Sequence, residues 1–236
     1  MKFIVPKQNL LEAINIVQRA VMTKATLPIL EGIYIEADDK VKLVGNCFDL
    51  GIECFVDADI KEKGSVVIEA RMFGEIIRKL PDAPVFIEVL DGYKVRIECL
   101  NSYFEIRGME GESYPLPPEY DSEITMSLPQ AVLKELIRQT IFAVGTDENR
   151  KIMTGVLMEA HDGELRMAAL DGFRMAVCSS LIKEDVNFKV VIPGRNMQEI
   201  LRVLETSDED VKVSLAGSLT IFDLENCRII SKILEG

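Results

Sequence analysis

The chain has 236 residues, 48% of them apolar, and a formal net charge of −12. That length allows two domains of ordinary size, each able to bury a core. The acidic average argues against a uniformly basic nucleic-acid binder, and the absence of any run near ~20 apolar residues excludes a membrane-spanning helix.

In chain order, Met1-Lys2-Phe3-Ile4-Val5 reads as a first strand rather than a basic-then-apolar leader. A helix is predicted over 7–21, after Pro6, with Leu10, Ile14, Val17 and Val21 at helical spacing. Ile33, Ile35, Val41 and Leu43 alternate with more polar residues about Asp38-Asp39, the pattern of a hairpin. Residues 47–60 continue as strand, and 65–69 form a short strand entering a second helix over 70–80. Gly74 in that helix costs about 1 kcal/mol relative to alanine, so it reads as a close-packing position. Strands follow at 85–89, 93–99 and 103–107, the first two joined through Asp91-Gly92. Residues 111–121 contain Tyr114-Pro115-Leu116-Pro117-Pro118, which suits neither helix nor central strand and makes a natural linker. The series then repeats, with helices over 130–142 and 195–204, a turn at His161-Asp162-Gly163 and a last turn at Asn226.

The repetition is explicit in the residues. Positions 67–80 align without a gap on 191–204 at an offset of 124. Pro6, Leu10, Ile14, Ala20 and Val21 match Pro129, Leu133, Ile137, Ala143 and Val144 at an offset of 123. A period this long is not a solenoid, whose repeats run to a few tens of residues. It implies two copies of one domain, over 1–120 and 121–236. Each copy is expected to be α+β, with two amphipathic helices packed on one side of antiparallel sheet.

The five cysteines, Cys47, Cys54, Cys99, Cys178 and Cys227, are odd in number and lack metal-ligand spacing. They lie in or beside strand-like runs, as small buried hydrophobes do, and suit a reducing cytoplasm. No cofactor or metal site is indicated. Charge is segregated. The four predicted helices carry nine cations (Lys7, Arg19, Arg71, Arg78, Lys79, Lys134, Arg138, Arg195 and Arg202) against Glu12, Glu75, Glu135 and Glu199. A basic helical surface suits phosphate backbones without base readout, whereas helices that merely happen to be richer in Lys and Arg need no such role.

Several segments resemble a known family. Met1-Lys2-Phe3, Thr26-Leu27-Pro28-Ile29-Leu30, the stretch from Ala169 to Val177 and the ending Ser231-Lys232-Ile233-Leu234-Glu235-Gly236 are similar to the bacterial DNA polymerase III beta subunits, the replicative sliding clamps. The resemblance covers the whole chain in register. It implies the DNA clamp fold, with three such domains per subunit and a homodimeric ring around double-stranded DNA. This chain then supplies the first two domains and lacks the third, as a truncated, monomeric fragment.

The resemblance also implies site residues. Lys24 falls where a basic side chain reaches DNA, and Arg71, Arg78, Lys79, Lys134, Arg138, Arg195 and Arg202 are broader DNA-binding candidates. Arg150 lies in a loop, 145–151, that aligns with a DNA-near loop but carries two acids against two bases. Met153, Leu170, Gly172, Phe173, Arg174 and Met175 match part of a cleft that takes short linear motifs from DNA polymerases, the clamp loader and repair proteins. Phe173 and Leu170 stand where histidine and threonine are common, which makes the rim less polar. The competing reading places Phe173 and Met175 on one face of a core strand. Phe104 and Ile106 match an edge strand at the subunit interface, with burial inside the first domain as the alternative.

An enzyme is the weaker class of function. His161 is the one histidine and sits in a turn, and no phosphate loop, His/Cys cluster or catalytic carboxylate pair emerges. A protein-binding scaffold without DNA encirclement is the remaining alternative.

Overall fold

A computed structural model of the chain describes residues 1–235. The backbone divides into two compact units, Met1–Pro117 and Pro118–Gly236.

The first unit runs β1 (Lys2–Val5), α1 (Lys7–Val17), β2 (Gly32–Ala37), β3 (Val41–Asn46), β4 (Leu50–Val56) and β5 (Asp59–Glu62). It continues with β6 (Gly64–Glu69), α2 (Ala70–Lys79), β7 (Val85–Leu90), β8 (Lys94–Cys99), β9 (Ser102–Arg107) and β10 (Met109–Glu110). The second runs β11 (Ile124–Pro129), α3 (Gln130–Thr140), β12 (Gly155–His161), β13 (Glu164–Leu170) and β14 (Met175–Leu181). It ends with β15 (Phe188–Pro193), α4 (Gly194–Val203), β16 (Asp210–Ala216), β17 (Leu219–Asp223) and β18 (Cys227–Lys232).

Each unit holds two runs of antiparallel strands rather than one sheet. In the first, the orders are β5-β1-β7-β8-β9 and β10-β6-β2-β3-β4. In the second, β14-β13-β12-β15 and β18-β17-β16-β11 repeat the shared part of that scheme. Within a unit, each βαβββ half gives its first strand to the other half. Thus β1 pairs with β7, with Phe3 opposite Ile87, and β6 pairs with β2, with Ile68 opposite Ile33. The same exchange pairs β11 with β16 and β15 with β12. Neither half can complete a sheet alone, so each unit folds as one core.

Helix starts follow from local chemistry. Pro6 and Pro129 precede α1 and α3, and their fixed φ suits helix entry. Glu69 caps α2, its carboxylate accepting from Arg71 N at 2.9 Å and Met72 N at 2.7 Å. Such a charge at a helix N-terminus contributes about 0.3–1 kcal/mol. The helices pack against each other in each unit, α1 over β3 and β4, α3 over β13 and β14. Leu10, Ile14 and Val17 of α1 and Phe73 and Ile77 of α2 are fully buried. Gly74 is a close-packing position: a Cβ there would lie 2.5 Å from Gln18 Nε2.

Three local readings change in the first unit. The helix predicted over 7–21 is α-helical to Val17, and Gln18–Ala20 is a 3₁₀ turn. The strand predicted over 47–60 is broken at Phe48, whose φ is +67°, because Asn46 Oδ1 accepts from Phe48 N and turns the chain into β4. The linker is bound to the first unit. Tyr114 is buried and stacks on Tyr34, with ring centroids 5.5 Å apart, within an apolar cluster that includes Leu30, Val44 and Val67. Asn46 Nδ2 also donates to Pro115 O at 2.6 Å.

Candidate nucleic-acid interface and peptide cleft

The exposed sides of α2 and α4 carry the same trio at the same register: Arg71, Glu75 and Arg78 in one, Arg195, Glu199 and Arg202 in the other. Residues three and four apart are neighbours on a helix, so each glutamate sits between two arginines. Glu75 holds Arg71 at 3.2 Å, and Arg78 donates to the neutral amide of Asn15 at 3.4 Å. In the second unit Glu199 holds Arg202 at 2.6 Å, while Arg195 makes no ion pair or hydrogen bond among the described residues. Lys24 and Lys79 are exposed and likewise make none.

The remaining DNA-binding candidates, Arg138, Lys134 and Arg150, have local partners. Arg138 grips Glu135 through two hydrogen bonds, at 2.6 and 2.8 Å. That guanidinium and then the Gln139 amide lower the Glu135 carboxyl to about 2. Lys134 is half-buried and donates to Leu204 O at 2.7 Å, at the end of α4. Arg150 lies 3.9 Å from Asp147, and its Nη1 is 3.4 Å from where a Cβ on Gly172 would stand. The structure therefore sets Arg150 against the Asp171–Gly172 turn, at the kink of the 3₁₀ segment Glu148–Thr154.

That turn is built by Asp171. Its Oδ1 accepts from Phe173 N and Arg174 N, both at 3.0 Å, and its Oδ2 from Arg174 Nε at 2.9 Å. These bonds, the backbone ones first, hold the Asp171 carboxyl below the usual range. Gly172 has φ +93°, a conformation that disfavours any side chain. Phe173 consequently projects from the turn and is 100% exposed, and Met175, opposite Leu170 at the start of edge strand β14, is 64% exposed. The core-strand reading of this pair is overturned: Phe173 precedes the strand, so the two share no strand face. Gly145 N donates to Met153 O at 2.8 Å, which brings half-buried Met153 beside the turn. The Arg174 guanidinium sits 5.7 Å from the ring centroid of Phe142, itself 58% exposed. Sequence reasoning missed Phe142. Its signal was an aromatic at the position equivalent to Arg19 in the first repeat.

Phe104 and Ile106 lie on β9, an end strand, opposite fully buried Ile97 and Val95. They point to the core side of the sheet but at its rim, Phe104 remaining 37% exposed and Ile106 half-buried. His161 ends β12, its Nε2 3.1 Å from Asp162 in the following turn. All five cysteines are free thiols. Among the described residues no His/Cys/Asp/Glu group is arranged to hold a metal ion, and no helix is long and apolar enough to cross a membrane.

A unit of two exchanged βαβββ halves, repeated in tandem, defines the class as the clamp fold. Residues 1–118 match the family model of the DNA polymerase III beta subunit N-terminal domain, and residues 127–236 match that of its central domain. The beta sliding clamp of Bacillus subtilis is 36% identical and that of Halalkalibacterium halodurans 34%, each aligned over 100% of this chain. The solved sliding clamp of Bacillus subtilis superimposes over the whole chain with a TM-score of 0.96 at 35% identity. The chain belongs to the DNA polymerase III beta subunit family. It spans 66% of the Halalkalibacterium halodurans relative and 65% of the Bacillus subtilis one.

Proposed function

We propose that this chain is the DNA-tethering part of a sliding clamp, which holds DNA polymerases on duplex DNA by encirclement, without catalysis and without base readout. The observation that carries the reading is the repeated Arg-Glu-Arg trio on α2 and α4, its four arginines exposed inside a chain of net charge −12. Side chains of this kind, with Lys24 and Lys79, contact phosphates without fixing a sequence. Lys134 contributes to the fold more than to this surface, since its ammonium is committed to a carbonyl.

The turn at Asp171–Arg174 supports a second role, as a seat for short linear motifs of polymerases, the clamp loader and repair proteins. Exposed Phe173 and Met175 offer apolar contact, and Gly172 lets a peptide backbone approach closely. In the longer protein, Phe104 and Ile106 are proposed to meet a second subunit and close a homodimeric ring, in the cytoplasm. The 236-residue chain alone is proposed to remain monomeric.

The test joins the chain to the remaining third of the Bacillus subtilis clamp and measures retention on circular DNA before and after linearisation. A topological clamp slides off linear ends. Equal retention on both forms, together with sequence preference, rules out encirclement.

A further inference from the structure

The two trios are the same residues in two different states. In α2 the central carboxylate, Glu75, is bound to the arginine four residues before it, and Arg78 is left on a neutral amide. In α4 the equivalent Glu199 is bound to the arginine three residues after it, and Arg195 is left without an ion pair among the described residues. Both spacings are ordinary neighbours on a helix, so helix geometry by itself selects neither partner. The Arg71–Glu75 pair is exposed and weak, of the kind that side-chain motion breaks and remakes readily, and in α4 Arg202 is half exposed while the Glu199 carboxylate is largely covered.

We propose that Glu75 and Glu199 are exchangeable counter-ions: each alternates between its two arginines and releases the other to a DNA phosphate. This deepens the proposed function and rests on it. When a phosphate takes one arginine, the glutamate is already held by the second. When the phosphate leaves, the freed guanidinium can reclaim the carboxylate. No step leaves an unpaired charge pressed against like charge, so each contact is made and broken over a low barrier, as sliding requires. Each trio also presents one net positive charge rather than two, which keeps the contact weak. The partner is the phosphodiester backbone, at one phosphate per trio.

The experiment is equilibrium binding of a fluorescent 20-base-pair duplex to the full 236-residue chain over a range of KCl, read as the slope of log affinity against log salt. Each lost phosphate contact lowers that slope by about 0.9. Four single variants are compared: Arg71→Ala, Arg78→Ala, Arg195→Ala and Arg202→Ala. These sites are exposed and alanine favours helix, so folding is retained and is checked by circular dichroism. Exchange predicts the same loss of about 0.9 from either arginine of a trio, because the survivor becomes the glutamate's permanent partner. Glu75→Gln and Glu199→Gln each raise the slope by a similar amount, whereas Glu12→Gln, on α1 and outside the trios, does not. Losses confined to Arg78→Ala and Arg195→Ala overturn the exchange and leave static pairs. A wild-type chain that binds duplex with a slope indifferent to all four arginines, or that fails to bind it, instead overturns the DNA-binding reading of these helices.

Discussion

The ammonium of Lys134 donates to the backbone carbonyl of Leu204 at 2.7 Å, tying the middle of α3 to the end of α4. The last carbonyls of a helix lack intrahelical partners, and a cation there also meets the negative end of the helix dipole. Lys134→Met keeps most of the aliphatic stem and removes the donor. It is expected to cost about 1–2 kcal/mol and to lower Tm by roughly 2–8 °C. The salt slope of DNA binding should not change. Calorimetry and duplex binding on the same variant separate the two roles, and a slope lowered at unchanged Tm would return Lys134 to the nucleic-acid surface.

Two carboxyls give the fold a pH dependence of predictable sign. Glu135 is held at about 2 by Arg138 and Gln139, against about 4.3 in an unfolded chain. The folded state therefore binds fewer protons between those values, so its stabilisation is present above about 4.3 and is lost as pH falls toward about 2. Asp171 shifts in the same direction, chiefly through the backbone N–H groups of Phe173 and Arg174. Urea unfolding should show wild type more stable than Glu135→Gln at pH 7, with the gap narrowing as the pH drops below 4. A gap that stays constant down to pH 3 contradicts the assignment.

Helices were legible because Leu10, Ile14 and Val17, like Leu133 and Ile137, repeat at helical spacing behind a proline. The tandem repeat was legible for the same reason, since matched cores need matched residues. Strand partners were not. The exchange of β1 to β7 and β6 to β2 joins residues far apart in the chain, and alternating apolar residues state only that a face is buried. Nor does sequence reveal a side chain whose partner is a carbonyl, as for Lys134, or one that rotates toward a distant turn, as for Arg150. The turn that exposes Phe173 could have been read more closely: Asp-Gly followed by two backbone donors is an Asx turn, and it ends before the strand begins.

Tyr114 makes the linker part of the first unit, and its removal should be costly. Tyr114→Ala opens a cavity beside Tyr34, Val44 and Val67, with an expected loss of about 3–5 kcal/mol. Tyr114→Phe removes only the hydroxyl that donates to Val44 O at 3.4 Å. That loss should be about 0.5–1.5 kcal/mol. Denaturant unfolding of both variants tests the order, and an equal, small effect of the two would mean that the linker is not part of the core.

Edge strand β9 leaves Phe104 partly exposed and, among the described residues, has no strand on its outer side. A single short edge of this kind offers far less area than a stable interface needs, which is above about 1,000 Å². The 236-residue chain is therefore expected to sediment as a monomer at micromolar concentration. Sedimentation equilibrium that returns a dimer with a dissociation constant well below micromolar rejects this expectation. A Phe104→Glu variant then identifies the edge, since it should dissociate such a dimer.

The turn before β14 offers the sharpest test of the peptide cleft. Met175 presents its thioether to solvent beside Leu170, and Gly172 leaves the approach to the backbone open. A fluorescent polymerase-derived peptide with leucine and phenylalanine anchors should bind at high micromolar concentration and lose affinity on Met175→Ala, through lost apolar contact. Gly172→Arg should abolish binding by two routes. It places a side chain on a backbone at φ +93°, and it adds a second guanidinium beside Arg150 that a docked peptide must desolvate. Phe173→Ala separates this site from its neighbours, because the ring is fully exposed and its loss leaves the core untouched. Binding that survives all three substitutions in folded protein moves the peptide site away from the Asp171–Met175 segment. Loss on Gly172→Arg alone would instead show that the backbone path matters and that the exposed apolar side chains do not.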